Sequence, residues 1–183
     1  MTRPSARRVA LTGTPGTGKS SVAKILSHRW PVEEVAALAP RLGAARSTPT
    51  GVEVDLRRLR TRLERDLPSR AVWVGHLAHL LPVRDVVVLR CHPLELLRRL
   101  DRAERGSRYD RVENVAAEAT DVVLLEALGL RRRVWEVDTT SRGLRSVAAE
   151  VARLLARRPP PAYGRVDWLA DPRVTDYLLR SDR

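Results

Sequence analysis

A single cysteine, Cys91, stands in 183 residues, so no internal disulfide can form and no cysteine metal cluster can be built. Nowhere do about 18 apolar residues run uninterrupted, which argues against a membrane-spanning helix. The first residues, "MTRPSARR", are basic, but strand-like residues and a glycine-rich loop follow them directly. That order argues against a secretory signal. Together these absences predict a cytoplasmic protein with no membrane partner. No internal repeat is evident. Phenylalanine is missing, and lysine is nearly so: only Lys19 and Lys24 are present, and the other 32 basic residues are arginines. The net charge of +12 has two explanations. One is an anion-rich partner such as a nucleotide or RNA. The other is compositional drift toward arginine, which the absent phenylalanine and scarce lysine also fit. Charge alone does not separate them.

What is present is enough for one folded domain. The length is ordinary for a single domain with a real core, and a hydrophobic content of 43% excludes a disordered or fibrous chain. Residues 7–13, "RRVALTG", read as a short buried strand. "KSSVAKILSHRW" places Val22, Ile25 and Leu26 at helical spacing before Pro31. Residues 32–44, "VEEVAALAPRLGA", read as helix broken at Pro40 and Gly43, "RSTPTG" as a loop, and "VEVD" as a short strand or extended segment. Leucines 56, 59, 63 and 67 mark one face of a further helix. "AVWVG" (71–75) and "DVVVLR" (85–90) are core strands. Pro93 opens the next helix, "GSRY" interrupts it, and residues 110–129 read as one long helix. "RVWEVDTT" is another strand, and "LRSVAAEVARLLARR" is a final amphipathic helix. Strands alternating with helices predict an α/β three-layer domain on a parallel sheet. The tail, 159–183, carries Trp168, Leu169, Tyr177, Leu178 and Leu179, too apolar for a disordered end. It is expected to pack on the domain or on a partner.

The chemistry starts at "GTPGTGKS", residues 13–20, which fits G-x-x-x-x-G-K-[ST]. Gly13, Gly16 and Gly18 let backbone N–H groups converge on phosphate oxygens. Lys19 is expected to reach the terminal phosphates and Ser20 to ligate Mg²⁺. The motif lies between a predicted strand and a predicted helix, whose positive end points at the same anion. A P-loop enzyme also has an acid at the end of another core strand, and here "AVWVGHLAHLLP" has none. Its polar residues are His76 and His79, placed where open α/β sheets bind ligands. His79 reads as structural; His76 reads as functional mostly through a family resemblance. Asp55, in "VEVDL", is a substitute metal ligand or a helix N-cap. Asp138 ends the last strand, near the nucleotide or as a cap.

These pieces together resemble the ribosome-associated adenylate kinase family, adenylate kinase isoenzyme six and its archaeal adenylate kinase relatives. The likeness is carried by "TGTPGTGKSS", "VEVDLRRL", "GHLAHLLP", "VVVLRCHPLELLRRL", "RGSRYDRVENVAAEA", "VWEVDTT" and "GRVDWLADP", and it spans most of the chain. It implies a P-loop nucleoside-monophosphate kinase fold over 1–183 with a parallel five-stranded core. It implies phosphoryl transfer from ATP to AMP with Mg²⁺, an ATPase activity, and a role in maturing small-subunit ribosomal RNA (rRNA) through contact with a small-subunit ribosomal protein. By match, Gly16, Thr17, Gly18, Lys19, Ser20 and Ser21 contact ATP, and Arg105 is the lid arginine. Asn114 and Glu118 stand where the family has them. The monophosphate region would span 31–54 and the lid 104–113. Family members carry Asp or Glu two residues before the motif histidine, where this chain has Val74. The monophosphate arginine is Arg41 or Arg46. Of Arg98, Arg99, Arg102, Arg105, Arg108 and Arg111 around the lid, one or two are expected on phosphate and the rest on solvent. Arg131, Arg132 and Arg133 are expected at the surface or facing RNA. Two other readings stay open: a nucleotide-gated assembly factor with slow hydrolysis, and a kinase for another small molecule.

Overall fold

The computed structural model describes residues 7–48, 51–65, 70–104 and 106–181. Five parallel strands form the central sheet in the order β2-β5-β1-β6-β7: β2 Val32–Glu34, β5 Arg70–Val74, β1 Arg7–Thr12, β6 Asp85–Arg90 and β7 Arg133–Asp138. The strands read as unbroken apolar runs because both faces are covered. Val9, Leu11, Val72, Val74, Val87, Leu89, Trp135 and Val137 point to one side. There they pack on α1 Lys19–Leu26 and α7 Leu144–Arg157. Ala10, Ala71, Trp73, Val86, Val88 and Val134 alternate to the other side. That side meets α2 Val35–Arg41, α3 Leu56–Arg65 and α6 Val122–Gly129. Burying each Leu or Val side chain in these layers contributes roughly 1.5–3 kcal/mol. The three-layer α/β expectation with five parallel strands is met.

Three local expectations are corrected. Residues 32–44 do not form one helix: Val32–Glu34 is the edge strand β2, paired with Val72–Val74, and only Val35–Arg41 is helical. Hydrogen bonding to β5 outweighs the helical pattern of "VEEVAAL". "RSTPTG" is not simply a loop, because β3 Ala45–Thr48 pairs antiparallel with β4 Gly51–Val54. The short strand expected at "VEVD" is met: it forms as β4 in this hairpin, apart from the core sheet. Finally, 110–129 is two helices, α5 Arg108–Ala119 and α6, separated at Asp121, whose φ is 59°. Aspartate tolerates that left-handed geometry. Arg90, reaching out from the end of β6, holds the break by donating to the Asp121 carboxylate and to the Glu118 carbonyl (3.1 Å).

Between β6 and α5 runs α4 Pro93–Arg102, opened by His92, whose ring accepts the Leu94 N–H. The expected lid, 104–113, is partly helical: Ser107 and Asp110 form a capping box at the start of α5. The tail packs on the domain. Ala162 exchanges backbone hydrogen bonds with Val134 and Glu136 beside β7. Asp171 meets His92 at 3.0 Å. Val174, on α8 Pro172–Ser181, is fully buried. Among the described residues no helix is long and apolar enough to cross a membrane.

Candidate active site

The phosphate loop leaves β1 at Thr12 and enters α1 at Lys19. Gly13 has φ of 136°, and a Cβ there would lie 2.3 Å from the Leu89 carbonyl oxygen, so the turn presses against β6. Gly18, at φ 96°, meets nothing within 4 Å of a built Cβ; its open side faces the cleft. Thr17 Oγ1 donates to the Thr14 carbonyl (2.9 Å), so its hydroxyl braces the loop from inside. Lys19 Nζ donates to the carbonyls of Gly13 (2.7 Å) and Thr14 (2.9 Å), curling over the loop.

Two cavities flank this loop, and Gly16, Gly18 and Ser21 line both. The larger, about 460 Å³, is bounded by Lys19, Ser20, Glu34, Val74 and His76, with Val54 and Ala103 at its rim. The smaller, about 290 Å³, lies between the loop, Arg99, Thr139, Arg142, Leu144 and Val147. Arg99 is held there by Thr139, through its hydroxyl (3.1 Å) and its carbonyl (3.0 Å).

The acid that the "AVWVG" strand lacks stands one strand away. Glu34 ends β2, directly opposite Val74 in the sheet register. Among the described residues it is the one carboxylate lining the larger cavity, and although it occupies the N-cap of α2 it makes no capping bond. Reading 32–44 as helix hid it. Pro31, which pushes Trp30 toward extended geometry, and the β-branched Val32 after it were the available signal. Asp55 takes the capping role: its Oδ1 accepts the Arg58 N–H at 2.9 Å. It lines a separate cavity of about 340 Å³, with Arg46, Glu53 and Arg58.

His76 lies at the larger cavity, and its carbonyl accepts from Thr12 Oγ1 (3.0 Å). Desolvation in the cleft, then the charges of Lys19 and His79, hold its pKa below the ordinary value. A neutral imidazole thus faces the phosphate site. His79 is fully buried, with Nδ1 at 3.1 Å from Thr12 Oγ1 and Nε2 at 2.9 Å from Glu126 Oε2. It ties the end of β1 to α6.

A buried ionic cluster supports the loop from behind, and the sequence had not revealed it. Arg90, 1% exposed, donates to Glu118 Oε1 (2.8 Å), to Glu136 Oε1 (2.6 Å) and to Asp121. Glu118 also accepts from Thr14 Oγ1 (2.5 Å) and from the Cys91 N–H (3.0 Å). Burial pushes the Glu118 pKa up, against the pull of Arg90 and Thr14. Burial lowers that of Arg90, but the charges and bonds of Glu118 and Asp121 outweigh it and hold it above the usual value. Glu118 thereby links the phosphate loop to β6 and α5.

The expected lid arginine, Arg105, lies outside the described residues. Arg41 pairs with Glu33 (3.1 Å) and Arg46 with Glu53 (2.7 Å). Arg111 pairs with Asp101 (3.1 Å). Asp138 accepts from the Thr140 N–H (2.8 Å) and hydroxyl (2.6 Å), a local turn at the end of β7.

A family model described as an AAA domain matches residues 9–121. A Thermococcus onnurineus protein named "Putative adenylate kinase" is 36% identical over 178 residues, 95% of this chain and 98% of its own. One of the same name from Archaeoglobus fulgidus is 38% identical over 180 residues, covering 94% and 98%. Among solved structures, shikimate kinase from Acinetobacter baumannii superposes with a TM-score of 0.57 at 19% identity, over 82% of this chain and 93% of that one. An uncharacterized Eubacterium ventriosum protein superposes at 0.55 and 11%, over 81% and 98%. These structural likenesses show the P-loop kinase fold. With the phosphate loop, the five-stranded parallel sheet and relatives at this identity over nearly the whole length, the chain belongs to the adenylate kinase-like family of P-loop proteins.

Proposed function

We propose that the protein is an ATP-dependent nucleoside-monophosphate kinase that transfers the γ-phosphoryl group to AMP, with a slower transfer to water as its ATPase activity. One observation carries this: two cavities meet at the same loop residues, Gly16, Gly18 and Ser21. A hydrolytic switch needs one nucleotide site, whereas a transferase needs a donor and an acceptor site facing one phosphate cradle. The smaller cavity, walled by Arg99, Thr139 and Leu144, suits the donor's base. The larger one, bounded by the segment 31–54, suits the monophosphate.

The donor's phosphates would lie on the loop N–H groups, with Lys19 swinging from the loop carbonyls to the phosphate oxygens. The acceptor's phosphate oxygen bonds to the γ-phosphorus as the bridging oxygen leaves with ADP. Because that acceptor is already an anion, no general base is required, and neutral His76 serves to orient it by hydrogen bonding. Holding both groups in line supplies much of the acceleration. Arg105 is the candidate for neutralising charge from the lid side. The donor set fits Mg²⁺: the Ser20 hydroxyl and the Glu34 carboxylate both line the cleft, and oxygen ligands suit this ion. Among the described residues no group of three or more His, Cys, Asp or Glu could hold a metal on its own. Mg²⁺ is commonly held by one or two protein oxygens plus substrate phosphates. When bound, the ion neutralises charge developing on the phosphate oxygens.

We further propose action in the cytoplasm on small-subunit rRNA maturation, in contact with a ribosomal protein. A second reading, a nucleotide-gated assembly factor, is favoured by Val74, apolar and 2% exposed where the family has an acid. A coupled assay for ADP decides between them. If AMP accelerates ATP loss many-fold, transfer stands; if AMP leaves the rate unchanged while ATP alters retention on ribosomal subunits, the switch stands instead.

A further inference from the structure

All five core strands are parallel, so their first residues gather at one edge of the sheet, opposite the phosphate loop. That edge carries a cavity of about 330 Å³ walled by Arg8, Arg60, Arg84 and Arg132, with Glu64 as its one carboxylate among the described residues. Arg8 lies at the start of β1, Arg84 just before β6, Arg132 just before β7, and Arg60 on α3. The Arg133 N–H bonds the Arg84 carbonyl (3.0 Å), which locks two of these segments side by side.

Neighbouring arginines are committed elsewhere. Arg158 and Arg133 face the buried Asp85 at 2.6 and 3.7 Å. Arg60, Arg84 and Arg132 form no ion pair with any carboxylate among the described residues. Arg132 Nε is buried and has no hydrogen-bond partner. Burial, then the charge of Arg60, lowers the Arg132 pKa. A solvated arginine face would spread its charges and wet its donors; this one converges them and leaves one dry. Such an arrangement is stabilised when an anion fills it, because guanidinium forks pair bidentately with phosphate.

We propose that this cavity binds the phosphate backbone of an RNA strand. The wall offers guanidinium groups, one carboxylate and the aliphatic Pro82 and Val83, with no aromatic ring on which a base could stack. It is therefore built for backbone contact, without base readout. Arg57, one helical turn before Arg60, and exposed Arg131 extend the charge past the wall, as a strand needs and a small phosphate compound does not. The net charge of +12 steers a polyanion toward it. The choice of RNA rests on the ribosomal part of the proposed function; the cavity's anion chemistry stands apart from it.

The test is fluorescence anisotropy of a labelled single-stranded RNA on the intact chain, across a salt series. The variant Arg60→Ala/Arg84→Ala/Arg132→Ala is compared with a charge-matched control, Arg145→Ala/Arg153→Ala/Arg157→Ala on α7. Each lost phosphate contact removes about 0.7 from the slope of log affinity against log salt. The cavity variant should therefore lose about 2 in slope, close to a hundredfold in affinity at 0.1 M salt. The α7 control should lose much less, and a fluorescent ATP analogue should bind both variants as it binds the parent. The single variant Arg84→Glu, at an exposed position, repeats the test with little risk to folding. Equal losses in both triple variants would reduce the effect to bulk charge and overturn the cavity. An unchanged slope would overturn it while leaving RNA binding elsewhere intact. No RNA binding by the parent would overturn both the cavity's ligand and the ribosomal reading. If inorganic pyrophosphate bound with the same dependence on the three arginines while RNA did not, the cavity would be a small-phosphate site and the RNA assignment would fall.

Discussion

The two edges of one parallel sheet both present positive charge, but they assemble it differently. At the carboxyl edge the charge comes from backbone N–H groups, a helix start and one lysine, all within residues 13–20, with Glu34 and His76 beside them. At the amino edge it comes from guanidinium groups on separate segments at 8, 60, 84 and 132. The first edge has a fixed cradle for one anion. The second has flexible forks suited to a repeating anion. The first is also braced from behind by the Arg90–Glu118 cluster; the second leans on Asp85, which Arg158 and Arg133 engage.

The largest expected effect tests whether the cradle depends on that brace. Glu118→Ala leaves Arg90 buried with less compensation and frees Thr14. It should destabilise the fold by about 3–5 kcal/mol, as removal of one partner of a buried pair does. Chemical denaturation measures this. Exposed Arg60→Ala, on the amino edge, should change stability by less than about 0.5 kcal/mol. Comparable losses for both would erase the distinction between a braced edge and an unbraced one.

Next comes Lys19→Ala, which should cut the turnover number by roughly 10²–10³-fold through loss of transition-state charge stabilisation. RNA affinity should stay at the parent's value. Loss of RNA binding in this variant would merge the two edges into a single site. Glu34→Gln should lower turnover by about 10–100-fold if it orients the metal or its water. The decisive readout is Mn²⁺ affinity in the nucleotide complex, measured by electron paramagnetic resonance. A slow enzyme with unchanged Mn²⁺ binding would remove Glu34 from the metal's surroundings. Val74→Glu is not the complementary experiment it looks like from the sequence. Val74 is packed against the α1 and α7 layer, so a charge there also costs burial.

The same contrast explains what the sequence made readable. The phosphate loop is contiguous, so spacing alone located it. The strands at 7–12, 70–74, 85–90 and 133–138 are buried on both faces and announce themselves as apolar runs. Glu34 was hidden because a three-residue edge strand is too short to show alternation, and "VEEVAAL" has helical spacing. The break at Asp121 was hidden for another reason. No glycine or proline marks it, and its cause is Arg90, 31 residues earlier. Arg90 itself looked like the polar end of "DVVVLR". Its role as a hub depends on Glu118, Asp121 and Glu136 arriving from three other elements. The amino-edge arginines were individually visible but could not be grouped, because only the parallel topology brings them together.

The smallest expected effect concerns protons. The carboxyl edge holds two histidines with lowered pKa values, whereas no histidine lines the amino-edge cavity. For His79, burial lowers the pKa, while the hydrogen bond and charge of Glu126 partly restore it. A lowered folded-state pKa means the unfolded chain takes up a proton first as pH falls below the ordinary histidine value of 6.5. Stability is therefore full above that pH and declines below it, by at most about 1.4 kcal/mol per pH unit for one proton. Glu126→Gln removes the restoring charge. It should extend the acid-sensitive window to lower pH, so that stability falls further between neutral pH and pH 5 than in the parent. Thermal melting across that range checks the sign. Nucleotide affinity should follow the same window, because His79 holds Thr12 at the mouth of the loop and His76 faces Lys19. RNA affinity, carried by guanidinium groups that keep their protons throughout, should be flat across it. A parallel acid dependence of both ligands would mean that the two edges are energetically coupled through the sheet.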